Sequence, residues 1–410
     1  MNRLAQRVIF VNFFAPPDIS STSQVLGSLA ASLSASYDVH IVSSGQAYSG
    51  QSPKLWKIDH ASGLQTHRIW TPNFGRRTIA GRILDYVAFH IFATIRVCWL
   101  ARRNSVIVTM TDPPMIAVPL AIVAGVRGAK LVNWVQDIFP EVAVQLGMHL
   151  GGSVAVRLLQ RCRDYAAKRA VMNVMLTEKM REWLLQRLPA AHAVTIPNWS
   201  PEEKIAPLPR ADNPLAVKWE IESQFVVCYS GDLGLAHELD GLIAAAEILR
   251  HRPEILILIV GEGSQRVRLA QRVTQLQLTN VQFEPYQELD QQKHVMTLPD
   301  VHLLSTKAAL EGLVVPTKFY GCMAAGKPVV FIGALSSEFA QWVDRTKPTG
   351  ILISPDDVAG LASAISYLLD NTAHRMRMAT NARSLYLEQF ATPVALGKWR
   401  TLIDKLGANS

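Results

Sequence analysis

Short β-prone apolar runs alternate with longer stretches of helical periodicity, and they do so in two consecutive series. In the first series the strand candidates are 8–14, 39–42, 105–110, 129–135, 172–176 and 193–196, with helical patterns at 21–36, 78–102, 154–168 and 178–188. In the second they are 225–229, 255–260, 281–283, 301–304, 328–332 and 350–353, with helical patterns at 238–250, 265–275, 316–325, 337–345, 357–369 and 373–389. A strand followed by a helix and another strand predicts parallel sheets covered by helices on both faces. Between the series lie Pro197, Pro201, Pro207, Pro209 and Pro214 among mixed charges. That break reads as an interdomain linker over 201–222. The expected fold class is therefore α/β, with Rossmann-like domains over 1–200 and 223–391. A last amphipathic segment at 392–406 carries Trp399 and Leu402.

The chain has 410 residues, more than one hydrophobic core usually supports. Hydrophobic residues make up 49% and charged residues 18%, which argues against disorder. The four cysteines, Cys98, Cys162, Cys228 and Cys322, are far apart. Neither a disulfide framework nor a zinc knuckle is expected, and free thiols on apolar segments fit a reducing cytoplasm. Arg3 and Arg7 precede an apolar run, but Pro16, Pro17 and Asp18 follow it without a small-residue cleavage site, so 7–14 reads as a buried strand rather than a signal peptide.

A membrane helix needs about 20 consecutive apolar residues. The run 115–126 stops at Arg127, and 83–100 contains Asp85, His90 and Arg96, so no clean span is expected. Charge is uneven. Residues 1–200 hold 21 Lys and Arg against 10 Asp and Glu, leaving 20 against 23 in the remainder. A basic first half suits an anionic partner such as membrane lipid, a lipid-linked phosphate or nucleic acid; the plain alternative is a solvated basic face. Between Arg76 and Arg103, the cations Arg76, Arg77, Arg82, Arg96, Arg102 and Arg103 surround Ile83, Leu84, Val87, Phe89, Ile91, Phe92 and Trp99. Such a segment can lie in a membrane interface, or pack into the core with basic ends.

Ligands in such folds sit beyond the carboxyl ends of the strands, and five loops there carry chemistry. Asp18, Ser20 and Ser21 form a hydroxyl-rich strand-to-helix junction, suited to an anion or a sugar hydroxyl or simply to capping the helix. Asp137 and Glu141 lie in the loop after strand 129–135, as an acid/base or hydroxyl-binding pair or as loop caps. Gly231, Asp232 and Gly234 open the second series, and Gly261 and Glu262 form a second glycine turn; both permit close backbone approach to a phosphate. Neither turn matches the full dinucleotide or Walker pattern. The richest segment is 311–321. Pro316 suits a first helical position, so the amides of Gly312, Leu313, Val314 and Val315 with Thr317 are expected at a positive helix end. Lys318 adds a charge there, and Glu311 can accept from sugar hydroxyls. The plain alternative is a surface Glu and Lys beside a helix start.

With these landmarks in order, joined by Thr111–Pro114, Leu176–Met180, Ile196–Trp199 and Ala324–Val329, the chain resembles the retaining glycosyltransferase family 4 of GT-B fold, in its bacterial exopolysaccharide and O-antigen branch. The resemblance implies two Rossmann-like domains facing across a cleft, an N-terminal acceptor domain onto which 392–410 packs back, and a C-terminal nucleotide-sugar domain. It implies a nucleotide-sugar co-substrate. With a helix end and Lys318 to supply positive charge, metal-independent chemistry with no other cofactor is expected. The basic, apolar stretch 76–103 points to a lipid-linked saccharide acceptor at the cytoplasmic face of the inner membrane, and nucleic acid is not expected because it would leave the donor loops unexplained. Of the family's two glutamates eight residues apart, Glu311 matches the first, and Phe319 stands where the second is usual. The usual Arg and Lys after the second domain's first strand align with Asp232 and His237, leaving Lys318 as the replacement charge. A histidine usual before Asp137 is Gln136 here. Glu311, Lys318 and Asp137 are the expected catalytic residues. These departures keep two other readings open: a partner subunit without catalysis, and a sugar-nucleotide epimerase.

Overall fold

The computed structural model describes residues 6–46, 59–61, 64–74, 79–200, 205–234, 237, 239–343 and 346–408. The chain forms two compact units. The first comprises 1–197, 313–315 and 395–410, the second 198–312 and 316–394.

In the first unit the order is β1 (Arg7–Val11), α1 (Ser21–Ser34), β2 (Asp38–Ser44), β3 (Asp59–Ala61), β4 (Leu64–Ile69), α2 (Ile79–Leu100), β5 (Val106–Met110), α3 (Ala117–Arg127), β6 (Lys130–Val135), α4 (Glu141–Gln145), α5 (Gly152–Arg169), β7 (Met172–Met175), α6 (Glu178–Arg187) and β8 (Ala193–Thr195). The strands make one sheet ordered β3-β4-β2-β1-β5-β6-β7-β8, parallel except for the β3–β4 pair. That order turns outward in both directions from β1 and β5, as in a doubly wound sheet. Val8, Ile9, Phe10 and Val11 are fully buried, as expected of a parallel strand covered on both faces. Ile9, Val11, Ile107 and Leu131 from the strands join Phe89, Ala93 and Val97 from α2, Leu120 and Ala124 from α3 and Ala166 from α5 in one core.

The second unit contains α7 (Pro214–Lys218), β9 (Phe225–Ser230), α8 (Asp240–Ile248), β10 (Ile255–Val260), α9 (Arg266–Gln275), β11 (Val281–Glu284), α10 (Gln292–Thr297), β12 (Val301–Ser305), α11 (Lys318–Ala324), β13 (Val329–Ile332), α12 (Glu338–Val343), β14 (Gly350–Ile353), α13 (Val358–Asp370) and α14 (Thr372–Leu385). Its sheet is ordered β11-β10-β9-β12-β13-β14, all parallel. The ILILIV run of β10 is buried along its whole length. The final helix, α15 (Thr392–Ala408), joins the first unit from Ala395 onward. There Trp399 packs against Trp134 with ring centroids 4.6 Å apart, and Lys130 Nζ donates to the Leu406 carbonyl at 2.5 Å.

Several elements differ from the sequence expectation. The 201–222 stretch is not linker throughout. Within the described residues, Asn213 caps α7 by accepting the Leu215 N–H at 3.0 Å, and Leu215, Ala216, Trp219 and Ile221 are core of the second unit. Prolines marked a break in pattern, but a Pro at the first position of a short helix is equally at home. β3 and β4 were missed because His60, Gln65, His67 and Arg68 interrupt any apolar run. Helix α3 was missed because it shows no amphipathic alternation; it is apolar on its outer side too, at Ile122 and Val126. Finally, α2 falls within the expected 78–102, but Ala80–Leu100 has the length and hydropathy to cross a bilayer, where no clean span was expected.

Candidate functional site

The second unit concentrates the candidate residues at the carboxyl ends of β9 and β10. The chain turns sharply after each strand, and the turns are laced together. Gly231 N–H donates to the Val260 carbonyl at 2.7 Å and Leu233 N–H to the Glu262 carbonyl at 2.8 Å. Gln265 returns through its backbone to Leu233 at 3.0 Å and through its side chain to the Gly234 carbonyl at 2.6 Å. Glycine is required at two of these positions. Gly261 has φ +151°, and a Cβ there would lie 1.9 Å from the Gly231 carbonyl oxygen. Gly231 has φ +129°, and a Cβ there would lie 1.6 Å from Lys318 Nζ.

Lys318 therefore crosses directly over the first turn. Its ammonium nitrogen is buried without a hydrogen-bond partner, 4.9 Å from the Tyr229 ring centroid. Burial lowers its pKa to about 8, against the opposing pull of the Asp232 carboxylate. Tyr229 donates its hydroxyl to the Asp232 carbonyl at 2.8 Å, fixing the ring beneath the amine. His237 Nδ1 lies 2.6 Å from the Ser305 carbonyl, so that nitrogen carries the proton. Burial and then the Lys318 charge hold His237 below its usual pKa. An unpaired buried cation beside two glycine turns is an arrangement that can take up an anion.

Glu311 lies in the same unit and accepts from the Ser336 hydroxyl at 2.9 Å. Glu262 is exposed, 3.6 Å from Arg266. The 311–321 segment departs from expectation. Helix α11 begins at Lys318, with Thr317 as a cap whose side chain makes no capping bond, so Pro316 is not the first helical residue. Leu313–Val315 groups with the first unit instead. There Val314 bridges Asp137, and the Leu313 carbonyl accepts the Ile138 N–H at 2.8 Å. Of the expected Gly312–Val315 cradle, the bridge at Val314 and the Leu313 carbonyl are thus engaged with the β6–α4 loop. Sequence reasoning passed over Tyr229 as a platform and Gln265. The second glycine turn closes at Gly263, whose Cβ would lie 2.5 Å from the Leu233 backbone.

In the first unit, Asp137 is half-buried, and burial of its carboxyl raises its pKa despite a hydrogen bond from Thr111. It lines a cavity of about 50 Å³, and one of its carboxylate oxygens has no partner. Glu141 is not available in the same way. Arg163 holds it at 2.9 Å, and Gln160 donates to it at 3.1 Å, so it ties the β6–α4 loop to α5. Asp18 accepts the Ser20 N–H at 2.8 Å. Ser20 stands at the cap position of α1 without making a side-chain cap bond, and Ser21 is the first helical residue. Among the described residues no three His, Cys, Asp or Glu side chains converge as a metal site.

Residues 22–199 match the family model described as glycosyl transferase 4-like domain, and residues 215–385 match that described as glycosyl transferases group 1. WbjE of Pseudomonas aeruginosa, named as a glycosyltransferase, is 22% identical over 340 residues, covering 83% of this chain and 84% of that protein. WcaI of Escherichia coli (strain K12), named for a glycosyl transferase of colanic acid biosynthesis, is 24% identical over 371 residues, covering 86% and 89%. Among solved structures, Anabaena HepE in complex with UDP-glucose superposes with a TM-score of 0.73 at 16% identity, covering 97% of this chain and 99% of that one.

Proposed function

The chain is a glycosyltransferase of GT-B fold, a family 4 relative at low identity of enzymes of bacterial exopolysaccharide, O-antigen and lipopolysaccharide biosynthesis, and from that premise we propose that it moves a sugar, with retention, from a nucleoside-diphosphate donor to a lipid-linked saccharide at the cytoplasmic membrane face. One observation carries the donor half of this reading: the buried, unpartnered Lys318 amine lying over the Gly231 turn. A departing diphosphate brings negative charge, and a preorganised cation with close backbone approach offsets it most where water is excluded. Lys318 supplies the charge and Gly231, Gly234 and Gly261 the approach, so binding is expected without a metal. Glu311 would accept from the donor sugar's hydroxyls. Asp137 would face the acceptor. A UDP-sugar is the first donor to try, since HepE was solved with UDP-glucose.

The test is a thermal-shift screen of nucleotides and nucleotide-sugars. A donor at 100 times its Kd stabilises the folded state by about 2.7 kcal/mol. A UDP- or GDP-sugar is expected to raise Tm, and Glu311→Ala and Lys318→Ala to weaken the response. No shift with any donor at saturation would overturn the reading.

Affinity should also follow the charge on Lys318. With its free-state pKa lowered to about 8, the amine is charged below that pH and neutral above it. A bound diphosphate favours the charged form and raises the pKa. UDP affinity measured by calorimetry should therefore be flat up to about pH 7.5 and roughly tenfold weaker than that plateau by pH 9. Lys318→Arg, charged throughout, should abolish that dependence. An unchanged affinity at pH 9 in the wild type would exclude Lys318 as the phosphate ligand.

A further inference from the structure

We infer that α2, α3 and α5 together form one docking face for an anionic lipid bilayer, with α2 lying in the plane of the interface rather than crossing it. The inference rests on, and deepens, the reading that the acceptor is lipid-linked. Helix α2 has two opposite ridges at four-residue spacing. One ridge, Asp85, Phe89, Ala93 and Val97, is buried against the sheet. The other, Ile83, Val87, Ile91, Ile95 and Trp99, is 47–75% exposed. The outer ridge runs for about 24 Å at 1.5 Å per residue. Only 22% of the most apolar window of this helix is buried.

The exposure continues sideways. α2, α3 and α5 contribute to one core cluster on the same layer. On their outer sides α3 shows Ile122 (55%) and Val126 (76%), and α5 shows Val154 (73%) and Leu158 (59%). Beside α2, Trp70 is 52% exposed and meets the Phe92 ring edge-on at 6.0 Å, an aromatic pair suited to the headgroup level. An apolar face of this extent marks an interaction site.

Charge selects the occupant. The three helices carry exposed Arg82, Arg127, Arg157, Arg161, Lys168 and Arg169. Their only carboxylates are Asp85, which is buried, and Asp164, which is paired with Arg163 and Arg187. Apolar ridges with cationic flanks and no exposed acid match anionic headgroups over acyl chains. A second copy fits poorly, because a two-fold contact would set this cationic surface against itself. Crossing is disfavoured because Phe89, Ala93 and Val97 belong to the core and would have to leave it. The basic cluster at Arg76 and Arg77 lies outside the described residues.

The test is co-sedimentation of the full chain with phosphatidylcholine vesicles, with and without phosphatidylglycerol. The wild type should bind the anionic vesicles, less so at high salt. Ile91→Asp with Val126→Asp should lower the bound fraction by roughly tenfold or more. Val217→Asp with Val267→Asp, exposed apolar positions in the second unit, should leave it unchanged. Retained donor-induced thermal shift in the first variant shows that it is folded, and separates failure of this inference from failure of the donor reading. Absence of wild-type binding to anionic vesicles, equal binding by the first variant, or a wild-type dimer that this variant dissociates would each overturn it.

Discussion

Lys318→Ala is expected to lower the initial rate of sugar transfer by about 10²–10³-fold, the usual cost of removing one preorganised donor to a developing charge. The protein should not unfold with it. The amine is buried and unpartnered, and in the folded state its pKa lies at about 8 against an ordinary 10.5. A folded-state pKa below the unfolded value means that folding favours the neutral form. The charged lysine therefore opposes folding at pH 7, by about 3 kcal/mol, and the penalty fades as pH rises from 8 towards 10.5. Lys318→Met, which keeps the volume without the charge, should thus raise Tm by several degrees while losing donor affinity. Greater stability with less activity is what a charge kept for a ligand produces, and what a structural lysine does not. Loss of Tm in Lys318→Met with normal turnover would assign Lys318 to the scaffold.

The second large effect is expected at Gly261. Alanine there must adopt φ +151° and accommodate a Cβ 1.9 Å from the Gly231 carbonyl oxygen. Both sides of the clash are backbone, so no side-chain rotation relieves it. The β9 turn has to move, and it carries the peptide over which Lys318 lies. Gly261→Ala should cost roughly 2–4 kcal/mol of stability, from strain and overpacking together, and weaken UDP binding by about 100-fold or more. Gly397→Ala, in α15 with nothing within 4 Å of its Cβ position, is the matched control and should be neutral or slightly stabilising. Urea unfolding and calorimetry on the two variants decide the point; equal stability and UDP affinity for Gly261→Ala and wild type would contradict the laced-turn geometry.

The frame of the fold was legible because parallel strands buried on both faces are short and uniformly apolar. The ILILIV strand β10 was read to the residue. What escaped had mixed signals. β4 holds Gln65, His67 and Arg68 beside β2, and α3 has no polar outer stripe because its outer side is the apolar one. The site was partly legible for a related reason. Glycine turns and a lysine after strands are visible one by one in the sequence, but the passage of Lys318 over Gly231 is a tertiary fact. In the other direction, Pro316 suggested a helix start that the chain does not take up, because Val314 pairs with Asp137 instead. Glu141 looked like one of two acidic candidates until Arg163, distant in sequence, took it as an ion pair.

The most direct test is transfer itself. The purified chain would be incubated with the radiolabelled nucleotide-sugar selected by thermal shift and with a bacterial lipid extract, and label would be followed into the organic phase. The expected result is label in lipid with the wild type, reduced to near background with Lys318→Ala. Tight donor binding with no label transferred to any lipid-linked saccharide would contradict the proposed reaction.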